Sequence, residues 1–174
     1  MGYLTRMLIE KKWRENGRKD ALRLARQPRP EGVAAETGLA YLPDGDPMHT
    51  LNLYRPEGAQ GPLPTVVDIH GGGWMYGDRE LNRNYCMALA AQGYAVMGMS
   101  YRLLPQVDLR GQVQDVFASL RWLEEHGGEH GFDLSRILRT GDSAGGHLAG
   151  LTACIQKSPA LQALYGVQPL KRGF

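Results

Sequence analysis

Thr65-Val66-Val67-Asp68-Ile69 is a nearly continuous β-branched run, and the glycine-rich stretch His70-Gly71-Gly72-Gly73 follows it at once. A strand that lacks polar alternation suits burial on both faces of a parallel sheet. Such a sheet needs crossover segments between its strands, so the rest of the chain must supply them.

Downstream, Leu81, Tyr85, Ala88 and Leu89 recur at helical spacing until Gly93, and Tyr94 to Met99 forms a second buried strand. Beyond Tyr101-Arg102-Leu103-Leu104-Pro105, a stripe of Val113, Val116, Phe117, Leu120 and Leu123 predicts a second helix, broken by Gly127 and Gly128. Arg136 to Thr140 predicts a third strand, and Leu148, Leu151, Thr152 and Ile155 mark one face of a closing helix. Strand and helix thus alternate three times. That order implies βαβ units with right-handed crossovers and helices on both faces of a mostly parallel sheet, an α/β class.

Upstream, Leu39 to Leu42 and Thr50 to Tyr54 flank the turn cluster Pro43-Asp44-Gly45-Asp46-Pro47 and predict an antiparallel hairpin. Residues 3–26 carry Leu4, Met7, Leu8, Ile9 and Trp13, then Ala21, Leu22, Leu24 and Ala25, interrupted near Asn16 and Gly17. They predict one or two amphipathic helices, ended by Gln27-Pro28-Arg29-Pro30. The expected division is a helical segment over 1–30 and an α/β domain over 31–174.

Composition excludes several classes. A chain of 174 residues is about one domain's worth, and a net charge of +2 is too small to point to nucleic acid. Basic residues crowd near the start, among them Lys11, Lys12, Arg14, Arg18, Lys19 and Arg23, and read as a solvated helix face. Cys86 and Cys154 lack metal or redox spacing and read as free, buried thiols. No apolar run suits a membrane span, and the N-terminus is charged where a signal peptide needs apolar residues. The expectation is cytoplasmic residence with no membrane insertion, no metal and no cofactor.

Chemistry concentrates where strands end, because ligands of open parallel sheets gather at the strands' carboxyl ends. Gly141-Asp142-Ser143-Ala144-Gly145 matches GxSxG, which suits a serine on a sharp strand-to-helix turn. Ser143 is the nucleophile candidate, and the Ala144 N–H at the helix start is a natural oxyanion donor. Gly71, Gly72 and Gly73 offer more donors, since a loop without side chains lets its backbone approach a substrate closely. Asp142 reads as a turn brace. Trp74 and Tyr76 suit either an acyl or alcohol pocket or ordinary packing.

Taken together, His70-Gly71-Gly72-Gly73-Trp74, Tyr101-Arg102-Leu103, Asp115-Val116, Trp122-Leu123 and Gly141-Asp142-Ser143-Ala144-Gly145-Gly146-His147 resemble one family. It is the hormone-sensitive-lipase-like branch of the α/β-hydrolases, close to its bacterial and feruloyl-esterase-like members, and the likeness runs from about Leu39 to Ile155. The resemblance implies an α/β-hydrolase fold and a serine carboxylic-ester hydrolase acting on small acyl esters, with acylated carbohydrate as one candidate class. It implies Ser143 as catalytic nucleophile, with the N–H groups of Gly72, Gly73 and Ala144 as the oxyanion hole and His70 bracing the loop. Amide hydrolysis uses the same machinery and stays open.

The family carries its catalytic acid and histidine well downstream of the nucleophile. Here no Asp, Glu or His occurs after His147. The expectation is therefore a truncated piece, a fragment or a frame-shifted product, with the fold stopping after the helix that follows the nucleophile strand. The isolated chain is then a weak esterase or, alternatively, a non-catalytic fragment or ligand-binding pseudoenzyme. The strand at 136–140 is expected to present a bare edge, open to self-association. His147 lies one helical turn past Ser143, but the family has a histidine there and does not use it as base. His126-Gly127-Gly128-Glu129-His130 matches the HxxEH metalloprotease pattern, yet its paired glycines oppose the helix that the motif requires. His49 reads as a lone loop histidine.

Overall fold

The computed structural model describes residues 3–172. In chain order its elements are α1 (Tyr3–Arg26), β1 (Val33–Ala40), β2 (Thr50–Pro56), β3 (Leu63–Ile69), α2 (Arg83–Ala91), β4 (Ala95–Met99), α3 (Leu109–His126), β5 (Phe132–Gly141), α4 (Ala144–Gln156) and α5 (Pro159–Tyr165). The sheet order is β1-β2-β4-β3-β5. β3 lies between β4 and β5 and is parallel to both, whereas β2 is antiparallel to β4 and to β1. The mostly parallel sheet expected from the sequence is a parallel three-strand core with the hairpin added antiparallel at β4.

Alternation along the central strands divides the core between two faces. Val67 and Ile69 of β3, with Ala95, Met97 and Met99 of β4, pack on one side with Val113, Val116, Phe117, Leu120 and Leu123 of α3 and Leu148 and Ile155 of α4. Val66 and Val96 point the other way, toward Cys86, Met87 and Ala90 of α2. Helices therefore cover both faces, and this is why those strands carry no polar alternation. Full burial of each Val, Ile or Leu contributes about 1.5–3 kcal/mol.

Several boundaries differ from expectation. The first strand begins at Val33 rather than Leu39, because β1 is an edge strand that lies mostly in solvent and needs no apolar run. Its register slips between Glu36 and Leu39, where the Gly38 N–H turns to donate to Asn52 Oδ1 at 2.9 Å. Leu81 precedes α2, and β5 begins at Phe132. α1 is one helix, unbroken at Asn16-Gly17, and its half-buried described residues are Ile9, Trp13, Asn16, Gly17, Asp20 and Leu24. Met7, Leu8 and Leu22, which the amphipathic reading would bury, are exposed. α5 was not foreseen. Its Ser158 caps Leu161 N, Pro159 opens it and Gly166 closes it in the left-handed region. Cys86 is buried as expected, but Cys154 is exposed on α4.

β5 pairs only with β3 among the described residues, so its outer edge is open, and Leu138 on it is 60% exposed. No helix among the described residues is long and apolar enough to cross a membrane.

Candidate active site

The carboxyl ends of β3 and β5 bring the two glycine-rich stretches side by side. In register Ile69 of β3 stands opposite Gly141 of β5, so His70–Gly73 and Asp142–Gly145 leave the sheet together. Gly145 shows how close the approach is. A Cβ there would lie 1.8 Å from the Ile69 carbonyl oxygen, so only glycine lets the start of α4 pack onto β3.

Ser143 holds φ 49° and ψ −113°, a backbone state that residues with side chains rarely adopt. Such strain costs of order 1–3 kcal/mol and persists only where the surroundings impose it. Here β5 enters from one side and α4 leaves on the other, with Gly145 N and Gly146 N donating to Asp142 O at 2.8 and 3.3 Å. The turn holds the Ser143 side chain out in solvent, and among the described residues no carboxylate or imidazole is hydrogen-bonded to its hydroxyl. His147 is exposed one turn along α4, its ring edge-on to Trp74 at 5.4 Å.

The glycine loop is held from several directions. Gly71 N donates to Asp142 Oδ1 at 2.9 Å, which ties the loop to the serine turn. The buried His70 imidazole bonds the Gly71 carbonyl through Nδ1 at 2.6 Å and stacks on Tyr101, centroids 4.4 Å apart. Tyr101 in turn donates its hydroxyl to His70 O at 2.9 Å. Burial holds the His70 imidazole below the ordinary histidine range, which favours its neutral form, and its Nε2 meets no partner among the described residues. Gly72, at φ 113°, faces the Tyr76 carbonyl so closely that a Cβ would lie 2.0 Å from that oxygen. Met75 N and Tyr76 N donate back to Gly72 O at 3.1 and 3.2 Å. Among the described residues the backbone N–H groups of Gly72, Gly73 and Ala144 meet no protein acceptor.

Of the two candidate pocket aromatics, Tyr76 lines a cavity of about 500 Å³ with Trp13, Met75, Leu103 and Pro105. Trp13 of α1 stacks on Tyr76 with centroids 5.1 Å apart, and Tyr76 donates its hydroxyl to Asp20 of the same helix. Trp74 instead packs against the main core, and its carbonyl accepts from Leu104 N and Gln112 Nε2.

His49 is buried, not a lone loop residue: it bonds Asp44 at 2.7 Å and Asp115 at 3.2 Å, and Arg102 also pairs with Asp115 at 2.6 Å. Asp44 lies only five residues away in the hairpin turn, but Asp115 is 66 residues distant and no local pattern signalled it. In His126–His130, α3 ends at His126, so the two histidines do not share one helical face. Each ring instead lies against Trp122, at 5.0 and 5.6 Å. No group of three metal-ligating side chains occurs among the described residues.

A serine on a strained strand-to-helix turn, with a braced glycine loop beside it at the strand ends of a parallel sheet, defines the α/β-hydrolase class. Residues 51–168 match the BD-FAE family model, and the chain belongs to that hormone-sensitive-lipase-like family of α/β-hydrolases. Among solved structures it is similar to esterase B from Lactobacillus rhamnosis, at 57% identity and a TM-score of 0.94, over 97% of this chain and 55% of that one. A bacterial heroin esterase matches at 33% identity and a TM-score of 0.72, over 90% of this chain and 47% of that one. Carboxylesterase NlhH of Mycobacterium tuberculosis is 38% identical over 125 residues, which are 71% of this chain and 39% of that protein. The chain thus spans well under half the length of that curated relative and little more than half of esterase B.

Proposed function

We propose that this chain carries the nucleophile and oxyanion half of a serine carboxylic-ester hydrolase for small acyl esters. The observation that carries the reading is the juxtaposition at the ends of β3 and β5. There the exposed hydroxyl of a strained Ser143 stands beside three backbone N–H groups that have no protein acceptor among the described residues. Ser143 Oγ bonds to the ester carbonyl carbon while its proton passes to a base. The carbonyl oxygen, now negative, is held by the N–H groups of Gly72, Gly73 and Ala144, worth roughly 10²–10³ in rate for each donor. The alkoxide leaves as the alcohol on taking up that proton, and water then releases the acid from the acyl-serine. His70 and Asp142 brace the loop, and Tyr76 borders the pocket. Esterase relatives support this assignment, as does the tributyrin phosphonate with which esterase B was inhibited.

Among the described residues no carboxylate or imidazole is hydrogen-bonded to the Ser143 hydroxyl, so none of them activates it. Loss of a triad histidine lowers turnover by roughly 10⁶ and leaves about 10³–10⁴ over water from the oxyanion hole and binding. The same lack favours a second reading, a ligand-binding protein without catalysis. Incubation with an alkyl fluorophosphonate and peptide mass spectrometry separates the two. Slow, stoichiometric modification confined to Ser143 is expected of the hydrolase half, whereas no modification would leave only the binding protein.

A further inference from the structure

Asn82 is the N-cap residue of α2, a position where an asparagine side chain ordinarily accepts from the helix's own first-turn N–H groups. Its side chain makes no such bond. Forgoing the cap costs about 1 kcal/mol, so the carboxamide is engaged elsewhere. Nδ2 donates to Asp68 Oδ2 at 3.1 Å and to Asp142 Oδ1 at 3.0 Å, and Asp142 Oδ1 also accepts from Gly71 N at 2.9 Å.

We propose that Asn82 is a positioning residue for the oxyanion loop, its carboxamide clamping the Asp142 carboxylate onto Gly71 N. This rests on the reading of Ser143 as nucleophile and of the glycine loop as oxyanion hole.

The chemistry of the three groups fits that role. Asp68 and Asp142 are like charges that face each other across Asn82, and two acceptors need a group with two N–H donors. A carboxamide has them and a carboxylate does not. Asp68 is buried, so its charged form is costly, and Asn82, with a smaller share from the Cys86 thiol, offsets that cost. Without the amide, Asp142 would lose a donor and still face Asp68. The approach is close: a Cβ on Gly71 would lie 2.2 Å from Asp142 Oδ2, so only glycine lets the carboxylate reach the Gly71 N–H at 2.9 Å. Besides Asp68 on β3 and Asp142 on the serine turn, the Cys86 thiol of α2 also touches Asp68.

The test compares the rate at which a fluorophosphonate modifies Ser143 in the full chain with that in Asn82→Leu and Asn82→Asp, each relative to wild type at pH 5 and pH 8. Melting temperatures are measured alongside. Asn82→Leu is expected to react about tenfold more slowly at both pH values. Asn82→Asp, close in shape, is expected to be at least as slow at pH 8 and to recover toward wild type at pH 5, where its protonated carboxyl can donate again. Equal rates in wild type and Asn82→Leu would overturn the proposal, and so would slowing of both variants with no recovery of Asn82→Asp at pH 5. Should Asn82→Leu not fold, the pH dependence of Asn82→Asp decides alone. An unmodified wild-type Ser143 would instead remove the nucleophile assignment, and this inference with it.

Discussion

The two strand ends that meet at the candidate active site are held in opposite ways. At the end of β3, a strand paired on both sides, the loop is fixed by Asp142, His70, Tyr101 and the Tyr76 turn. At the end of β5, paired on one side only among the described residues, Ser143 sits in a strained backbone state with an exposed side chain. The difference matches the roles proposed for the two ends. Donors for a developing oxyanion help only when already in place, so immobility is useful there. A nucleophile must stay accessible, and it depends on a partner outside its own turn for activation.

The largest effect that can break this comparison is expected where the two ends touch. Gly145→Val would drive side-chain atoms into the Ile69 carbonyl and should destabilise the chain by about 3 kcal/mol or more, read from its urea midpoint. A well-folded variant of unchanged stability would mean that the contact is slack.

Asp68, at the β3 end, gives a prediction of similar size in pH. Burial, chiefly, raises its carboxyl to about 6, above its ordinary 3.8. The folded state therefore binds this proton more tightly than the unfolded state, so the contribution is fully present below about pH 4 and is lost as pH rises through 6. The loss is of order 3 kcal/mol at most. Asp68→Asn keeps an acceptor for Asn82 and removes the charge, and should raise the melting temperature at pH 8 while flattening the slope between pH 4 and 6. A parallel shift at every pH would show that Asp68 does not titrate there.

Ser143→Gly sharpens the other side. Glycine adopts positive φ without penalty, so this variant should be more stable by about 1 kcal/mol. For a chain of this size that raises the melting temperature by roughly 2–4 °C, even as fluorophosphonate modification is lost. A melting temperature that falls would mean that the serine turn carries no strain.

The smallest effect on stability is expected at the β5 edge. We propose that this open edge, with Leu138 exposed, lets the chain self-associate. Leu138→Lys should shift sedimentation toward monomer with little change in melting temperature. A wild-type chain monomeric at high concentration would contradict it.

Much of this arrangement was legible in the sequence. β3 and β4 announce themselves because burial on both faces removes polar alternation, and Gly145 and the glycine loop because close backbone contact excludes side chains. Elements held by solvent-facing or long-range bonds were not legible. β1 is an exposed edge with little apolar signal before Leu39, and α5 is a short helix defined chiefly by its caps. His49 and Asn82 are the clearest misses. Each is ordinary in its local sequence, and its partners, Asp115 for one and Asp68 and Asp142 for the other, arrive only through the fold.

We propose that the oxyanion half of the site is built while no base among the described residues activates Ser143. Steady-state hydrolysis of p-nitrophenyl acetate by the purified 174-residue chain tests it most directly. We expect weak hydrolysis, no more than roughly 10³–10⁴ over water and little changed by Ser143→Ala, since the oxyanion hole and binding remain. Turnover at the level of an ordinary esterase, about 10 per second and abolished by Ser143→Ala, would mean instead that a base reaches Ser143 from within these residues.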